Sequence, residues 1–306
     1  MNSSFSEYLE SRRREVEAAL TASLPVPPDC PAIVADAMRY SVTAGGKRLR
    51  PILCLASAEA VGGERAAAMP AACAIEFIHT YSLIHDDLPA MDNDTMRRGQ
   101  PTLHVVAGEG LAILAGDGLL TEAFAVMARA REGADPVTLA RTLRVIGVVA
   151  RAAGAIGMVG GQALDLAGGA TKPTDQESQM TAEGLRAVHA RKTGALIRAA
   201  AVAGAILGGG ADRDIAIIDA AATEFGLAFQ IVDDILDVEG APATLGKTTG
   251  KDAASGKPTY PALYGLDTAR RMAAECLERA EQSLRSGGLV EGRLMDIGRW
   301  IVERSN

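Results

Sequence analysis

Apolar residues recur at intervals of three and four along almost the whole chain, and no stretch alternates long enough to read as a strand. This periodicity predicts helices near residues 4–22, 31–43, 50–61, 68–87, 107–132, 136–152 and 154–167, then near 181–207, 213–238, 259–284 and 291–303. Breaks are expected at Pro25-Val26-Pro27-Pro28, Gly62-Gly63, Gly168-Gly169 and Gly208-Gly209-Gly210. The stretch Glu239–Pro258 is rich in Gly, Thr, Lys and Ala and has no period. A loop of that length in a compact domain is usually functional. The expected fold class is all-α, with residues 1–306 forming one domain, because no Pro/Gly/Ser linker divides them.

Composition sharpens this picture. Apolar residues make up 48% and aromatics only 4%, so the core must consist mostly of Ala, Leu, Ile and Val, which suits closely packed helices. A net charge of −7 weighs against nucleic-acid or anionic-membrane binding. Arg12-Arg13-Arg14 is not followed by an apolar stretch, and the longest apolar run, Ala199–Leu207, is too short to cross a bilayer. The expectation is a soluble, cytoplasmic protein without a membrane anchor. Its scattered Cys30, Cys54, Cys73 and Cys276 should be buried reduced thiols.

The chemistry concentrates in two aspartate clusters, Asp86-Asp87-Leu88-Pro89-Ala90-Met91-Asp92 and Asp233-Asp234-Ile235-Leu236-Asp237, each behind an apolar helical run. Carboxylates set into an apolar helix are costly unless a cation offsets them. Hard oxygen ligands at this density suit Mg²⁺, which binds through a few carboxylates plus substrate phosphates. Asp233 and Asp237 are four apart, so their carboxylates should leave one helix face about 6 Å apart. Pro89 should end the first helix after Asp87 and let Asp92 curl back towards Asp86.

Basic residues flank both clusters. Lys47 and Arg50 follow Gly45-Gly46 and share a face if that segment is helical. Arg97 and Arg98 follow the first cluster, Arg191-Lys192-Thr193-Gly194 interrupts a helical run, and Lys247, Lys251 and Lys257 lie in the loop after the second cluster. Arg suits bidentate phosphate contacts and Lys acts as a point charge. Lys47 is not a P-loop lysine, because Ser41 stands where the first glycine would be. His79 lies two helical turns before Asp86 and could reach a phosphate. Gln162 and Asp165, like Gln230, place polar groups within apolar helices, for interhelical hydrogen bonds or for support of the site.

In order, these motifs resemble the trans-prenyltransferases, the head-to-tail isoprenyl diphosphate synthases: GGKRLRP at 45–51, DDLPAMD at 86–92, RRG at 97–99, GQALD at 161–165, RKTG at 191–194, FQIVDDILD at 229–237 and GKPTYPAL at 256–263. The resemblance implies an all-α bundle around a deep central cavity, normally a homodimer. It implies three Mg²⁺ held by Asp86, Asp92 and Asp233, with Asp87 and Asp237 supporting. The allylic diphosphate would meet Arg97, Lys192, Lys247 and Lys257, and isopentenyl diphosphate would meet Lys47, Arg50, His79 and Arg98. Thr193 and Gln230 resemble the groups that steady the allylic cation.

In such enzymes the residue five before the first Asp helps set cavity depth. Here it is Tyr81, about 7.5 Å down the helix axis. A phenol ring there should stop the growing tail at C15, farnesyl diphosphate, with a C20 product as the alternative. Two rival readings share the fold: a class I terpene cyclase, which needs no second diphosphate site, and a non-catalytic partner subunit, which would not need both aspartate clusters.

Overall fold

The computed structural model describes residues 3–129, 133–169, 181–239 and 259–304. Lys247, Lys251 and Lys257 lie outside them. Helices carry the chain, as the periodicity predicts: α1 (Ser3–Ser23), α2 (Ala32–Val42), α3 (Leu49–Ala60) and α4 (Arg65–Asp86). The helix expected over 107–132 is α6 (Glu109–Arg129), and a short unexpected helix α5 (Leu103–Ala107) precedes it, parted from it where Gly108 takes φ +85°. In α7 (Pro136–Ala153) the Asp135 carboxylate caps the N-terminus, accepting from the Val137 and Thr138 amides at 2.9 and 3.1 Å. Then come α8 (Met158–Gly169), α9 (Ala182–His189), a π-helical turn at Ala190–Gly194, and α10 (Ala195–Leu207). The single helix expected over 181–207 is therefore broken at the RKTG motif, and π turns of this kind are frequent at functional sites. The remainder is α11 (Asp212–Glu239), α12 (Tyr260–Tyr264), α13 (Leu266–Ser286) and α14 (Arg293–Glu303).

One further element was not expected. Strands β1 (Met96–Arg97) and β2 (Gln100–Pro101) form a hairpin whose two-residue loop, Arg98-Gly99, has φ of 53° and 76°. Positive φ at both loop positions is the type I′ geometry that matches strand twist. The strands are too short to show alternation, so the sequence carries no periodic signal for them.

The core is organised around α10, buried along nearly its whole length from Leu196 to Leu207, with α3, α4, α7 and α11 packed against it. Alanines such as Ala71, Ala72, Ala200, Ala201 and Ala203 let the helix axes approach closely, while Phe77 and Phe225 fill the space left between them. By length and composition four helical segments are apolar enough to cross a membrane, which the longest unbroken apolar run did not suggest. In α4 67% of the apolar stretch is inside the bundle, whereas in α6 and in Pro136–Ala167 the shares are only 39% and 33%. All four cysteines are free; Cys54, Cys73 and Cys276 are buried and Cys30 is half-exposed.

Candidate active site

Helix α4 ends at Asp86, three residues before Pro89, and the chain curls as expected: the Asp92 amide donates to the Asp86 carbonyl at 2.8 Å. The Asp94 amide donates to the Asp87 carbonyl at 3.1 Å, and Asn93 takes φ 52°, which asparagine tolerates better than most residues. The side chain of Asp87 is buried and gripped by Arg97, whose Nε donates to both carboxylate oxygens at 2.8 and 3.0 Å and whose Nη2 donates at 2.6 Å. Asp87 therefore supports the site by fixing Arg97.

On α11, Asp233 and Asp237 look into the same chamber as Asp86 and Asp92, a cavity of about 560 Å³. Asp234 is buried between them and accepts from Gln230 Nε2 at 3.1 Å and from the Tyr260 amide at 2.9 Å. The Gln230 amide nitrogen is thus engaged by Asp234 while the side chain lines the chamber. Asp233 meets a partner that sequence reasoning missed. Arg304, just past α14, donates to Asp233 Oδ1 at 2.7 Å and to the Phe229 carbonyl at 2.8 Å, and its guanidinium lies 3.9 Å from the centre of the Phe229 ring. A lone arginine after a helix, 71 residues from its partner, carries no sequence signal.

The basic wall lies opposite. Lys47 and Arg50 both line the chamber, but not as neighbours on a helix face. Arg48, at φ 50°, caps α3 in the left-handed conformation, so Lys47 lies outside the helix and Arg50 in its first turn. Gly46 has φ 129°, and the Arg98 guanidinium occupies the space where a Cβ would stand, 2.6 Å from its atoms; Arg98 donates to the Gly45 carbonyl. The tight Arg98-Gly99 turn aims this guanidinium.

Sequence reasoning also missed the centre of this wall. Arg48 is 3% exposed, donating to Glu76 Oε1 at 2.7 Å and to the Val42 carbonyl at 2.6 Å. Glu76, 2% exposed, is the counter-charge for Arg48, and its field also reaches Arg50 and Arg98. One carboxylate serves several guanidinium groups. The Arg50 Nε is buried without a partner among the described residues, and enclosure lowers the Arg50 pKa, with Glu76 and Asp233 opposing the shift. Such a wall is short of an anion. Burial, helped by Arg50, Arg98, Arg97 and Arg48, holds the His79 pKa well below its ordinary value, so His79 meets a ligand as a neutral ring.

The π turn forms the third wall. Cβ atoms at Gly161 and Gly226 would stand 2.3 Å from the Lys192 backbone and 3.0 Å from Gly194, so α8 and α11 press on the turn from two sides. Lys192 Nζ meets Asp165 Oδ2 at 2.7 Å while the side chain, with Thr193, lines the chamber. Beyond the turn an apolar cavity of about 360 Å³ opens, lined by Met158, Leu166, Tyr81 and Gln162, among others. It shares Arg50, His79, Leu83, Asp86, Lys192 and Thr193 with the charged chamber. Tyr81 packs edge-on against His85, ring centres 5.7 Å apart.

Burial pushes the Asp86 carboxyl up to about 6, with Lys192 opposing the shift and Asp92 adding to it. Among the described residues no three His, Cys, Asp or Glu side chains converge tightly enough to hold a metal ion by themselves. The carboxylates stand on two facing walls, an arrangement that fits Mg²⁺, which takes one or two carboxylates and completes its shell with waters and phosphate oxygens.

His189, beside the π turn, tests the site's electrostatics. Burial pulls its pKa down to about 4, with Asp165 opposing and Lys192 assisting. A histidine with a depressed folded pKa stabilises the fold above its unfolded value near 6.5 and loses that contribution as pH falls. Between pH 7 and pH 5 the parent protein should lose about 2 kcal/mol more stability than His189→Gln. Urea unfolding at both pH values measures this, and equal losses would show that His189 ionises normally.

The polyprenyl synthetase family model matches residues 31–286. The chain belongs to that family. It is 49% identical over 280 residues to a putative geranylgeranyl pyrophosphate synthase 8 of Arabidopsis thaliana, covering 92% of this chain and 76% of the relative. It is 44% identical over 299 residues to a geranylgeranyl diphosphate synthase of Cyanophora paradoxa, covering 98% and 96%. Among solved structures, an FPP/GFPP synthase from Zymomonas mobilis superposes with a TM-score of 0.83 at 36% identity, over 99% and 100% of the two chains. A geranyltransferase from Legionella pneumophila gives 0.82 at 30% identity, over 99% and 97%. As a polyprenyl synthetase this protein is a prenyl chain-elongation enzyme, of a family that joins isopentenyl and allylic diphosphates and uses divalent metal ions.

Proposed function

We propose that the chain elongates allylic diphosphates with isopentenyl diphosphate to a C20 product, geranylgeranyl diphosphate. The observation that carries the elongation reading is a charged chamber lined by both carboxylates and arginines, opening into an apolar cavity at Asp86, Lys192 and Thr193. The relatives named as geranylgeranyl diphosphate synthases support C20. Tyr81, 7% exposed and lining the apolar cavity, favours the second reading, C15 farnesyl diphosphate.

In this reading Asp86, Asp92 and Asp233, with Asp237 supporting, would hold three Mg²⁺, whose chemistry would be charge neutralisation of the leaving diphosphate. Arg97, fixed by Asp87, and Lys192, fixed by Asp165, face that diphosphate. Lys47, Arg50 and Arg98, with neutral His79 as a hydrogen-bonding group, take isopentenyl diphosphate. Thr193 and Gln230 flank the cation. A cyclase would have no use for this second basic wall, and a non-catalytic subunit would have no use for both carboxylate walls.

Incubation with Mg²⁺, isopentenyl diphosphate and either dimethylallyl or geranyl diphosphate, followed by product sizing, tests the reading. A C20 end point supports it, a C15 end point favours Tyr81 as the floor, and no condensation overturns elongation. Tyr81→Ala should add at least one C5 unit to the main product. An unchanged distribution would remove Tyr81 as a length determinant.

We also infer a homodimer. Exposed apolar residues stand on α6 (Ile113, Leu114), on α7 (Leu139, Leu143, one turn apart) and on α5 (Val105, Val106). Leu143 alone is 71% exposed, and apolar surface of this extent usually marks an interface. Sedimentation should give twice the chain mass for the parent and the chain mass for Leu143→Glu; a monomeric parent would refute the dimer. The four free cysteines suit a reducing compartment such as the cytoplasm.

A further inference from the structure

Gln162 differs from the other polar residues around the site. Its carboxamide nitrogen and oxygen are both buried, and neither has a hydrogen-bond partner among the described residues, so the interhelical bond expected of it is not formed. Buried polar groups are rarely left this way, because each unmade bond has a desolvation cost. Its position is tightly held. Gly161 brings α8 against the Lys192 backbone, and Asp165, one turn on, holds the Lys192 amine at 2.7 Å. Gln162 sits between these two contacts, on the helix they clamp to the π turn.

Its location separates two roles. Gln162 lines the apolar cavity with Tyr81, Met158 and Leu166, and is not among the described residues lining the charged chamber. With the diphosphate in the chamber, the first carbons of an allylic substrate lie where the cavities meet, at Asp86, Lys192 and Thr193. In the elongation reading, Gln162 stands on the carbon side of that junction.

We propose that Gln162 is a catalytic residue of elongation, its carboxamide oxygen directed at the allylic cation and left unpaired until that charge forms. This rests on the elongation reading above. The C1–O bond breaks with its electron pair leaving on diphosphate, the isopentenyl double bond attacks C1, and a proton lost from the new chain goes to the released diphosphate. A dipole already in place needs no reorganisation when the positive charge develops.

Gln162→Leu and Gln162→Glu test this. The leucine variant should lower kcat roughly 10- to 100-fold with KM for both diphosphates within about twofold. It should also melt no lower than the parent, because the amide makes no bond in the free protein. Glutamate keeps an oxygen at the same place and should recover most of the lost kcat. Parent-like kcat in the leucine variant overturns the proposal. So does a lowered melting temperature that accounts for the lost activity, or a glutamate variant that raises KM for the allylic substrate, which would put the amide nitrogen on the diphosphate. Failure of the parent to condense would instead overturn the elongation reading, so the two failures are distinguishable.

Discussion

Replacing Asp86 with asparagine should give a protein that folds, melts higher without metal, and turns over at least about a thousandfold more slowly. Among the described residues Asp86 is the one carboxylate that lines both the charged chamber and the apolar cavity, where the leaving diphosphate must separate from carbon. Losing about 4 kcal/mol of charge stabilisation there corresponds to that factor in rate. The stability effect has the opposite sign. A carboxyl whose folded pKa, about 6, exceeds its unfolded value destabilises the metal-free fold above that pH, and the penalty fades as pH falls towards the unfolded value. At pH 7.5 the ionised group costs about 3 kcal/mol, and asparagine removes the charge at nearly constant shape. Steady-state kinetics with saturating Mg²⁺ and thermal melts with a chelator measure the two effects. A variant within tenfold of the parent kcat would remove Asp86 from the chemistry.

Glu76→Ala should be the most damaging change to the fold. It strands Arg48, whose side chain is 2% exposed, without its counter-charge. Breaking a buried pair from one side costs about 3–5 kcal/mol. In a chain of this size that should lower Tm by roughly 6–10 °C. Because the field of Glu76 also reaches Arg50 and Arg98, its removal leaves the wall more positive, and KM for isopentenyl diphosphate should fall in the same variant. A double replacement, Arg48→Met with Glu76→Leu, removes both charges and should recover most of the lost Tm. If the double variant melts as low as the single one, the cost lies in packing and not in the stranded charge.

The large stability cost falls on a residue that the sequence reading did not select. Glu76 is one acid inside a long apolar helix, and nothing local separates it from a solvated charge. Its importance comes from Arg48, 28 residues earlier, which a left-handed backbone at the start of α3 turns inward. Arg304 is a similar case, joined to Asp233 only because α14 packs beside α11. The Arg98-Gly99 hairpin escaped notice because two-residue strands have no period, and the expected helical pairing of Lys47 with Arg50 failed because Arg48 breaks the helix between them.

What the amino-acid order settled alone is what depends on short-range pattern. It includes the all-α class, the helix positions to within a few residues, the end of α4 near Pro89 with the return of Asp92 and the two aspartate platforms. These follow from periodicity, proline geometry and residue chemistry, which act over a few residues. Only the tertiary structure decided which charges neutralise one another and which are left for a ligand. It assigned Asp87 to Arg97, Asp165 to Lys192 and Glu76 to Arg48, and left the Gln162 amide and Arg50 Nε without partners among the described residues. The reason is physical: the strength of a charge depends on its burial and on neighbours brought from distant segments, and neither quantity exists until the helices have packed.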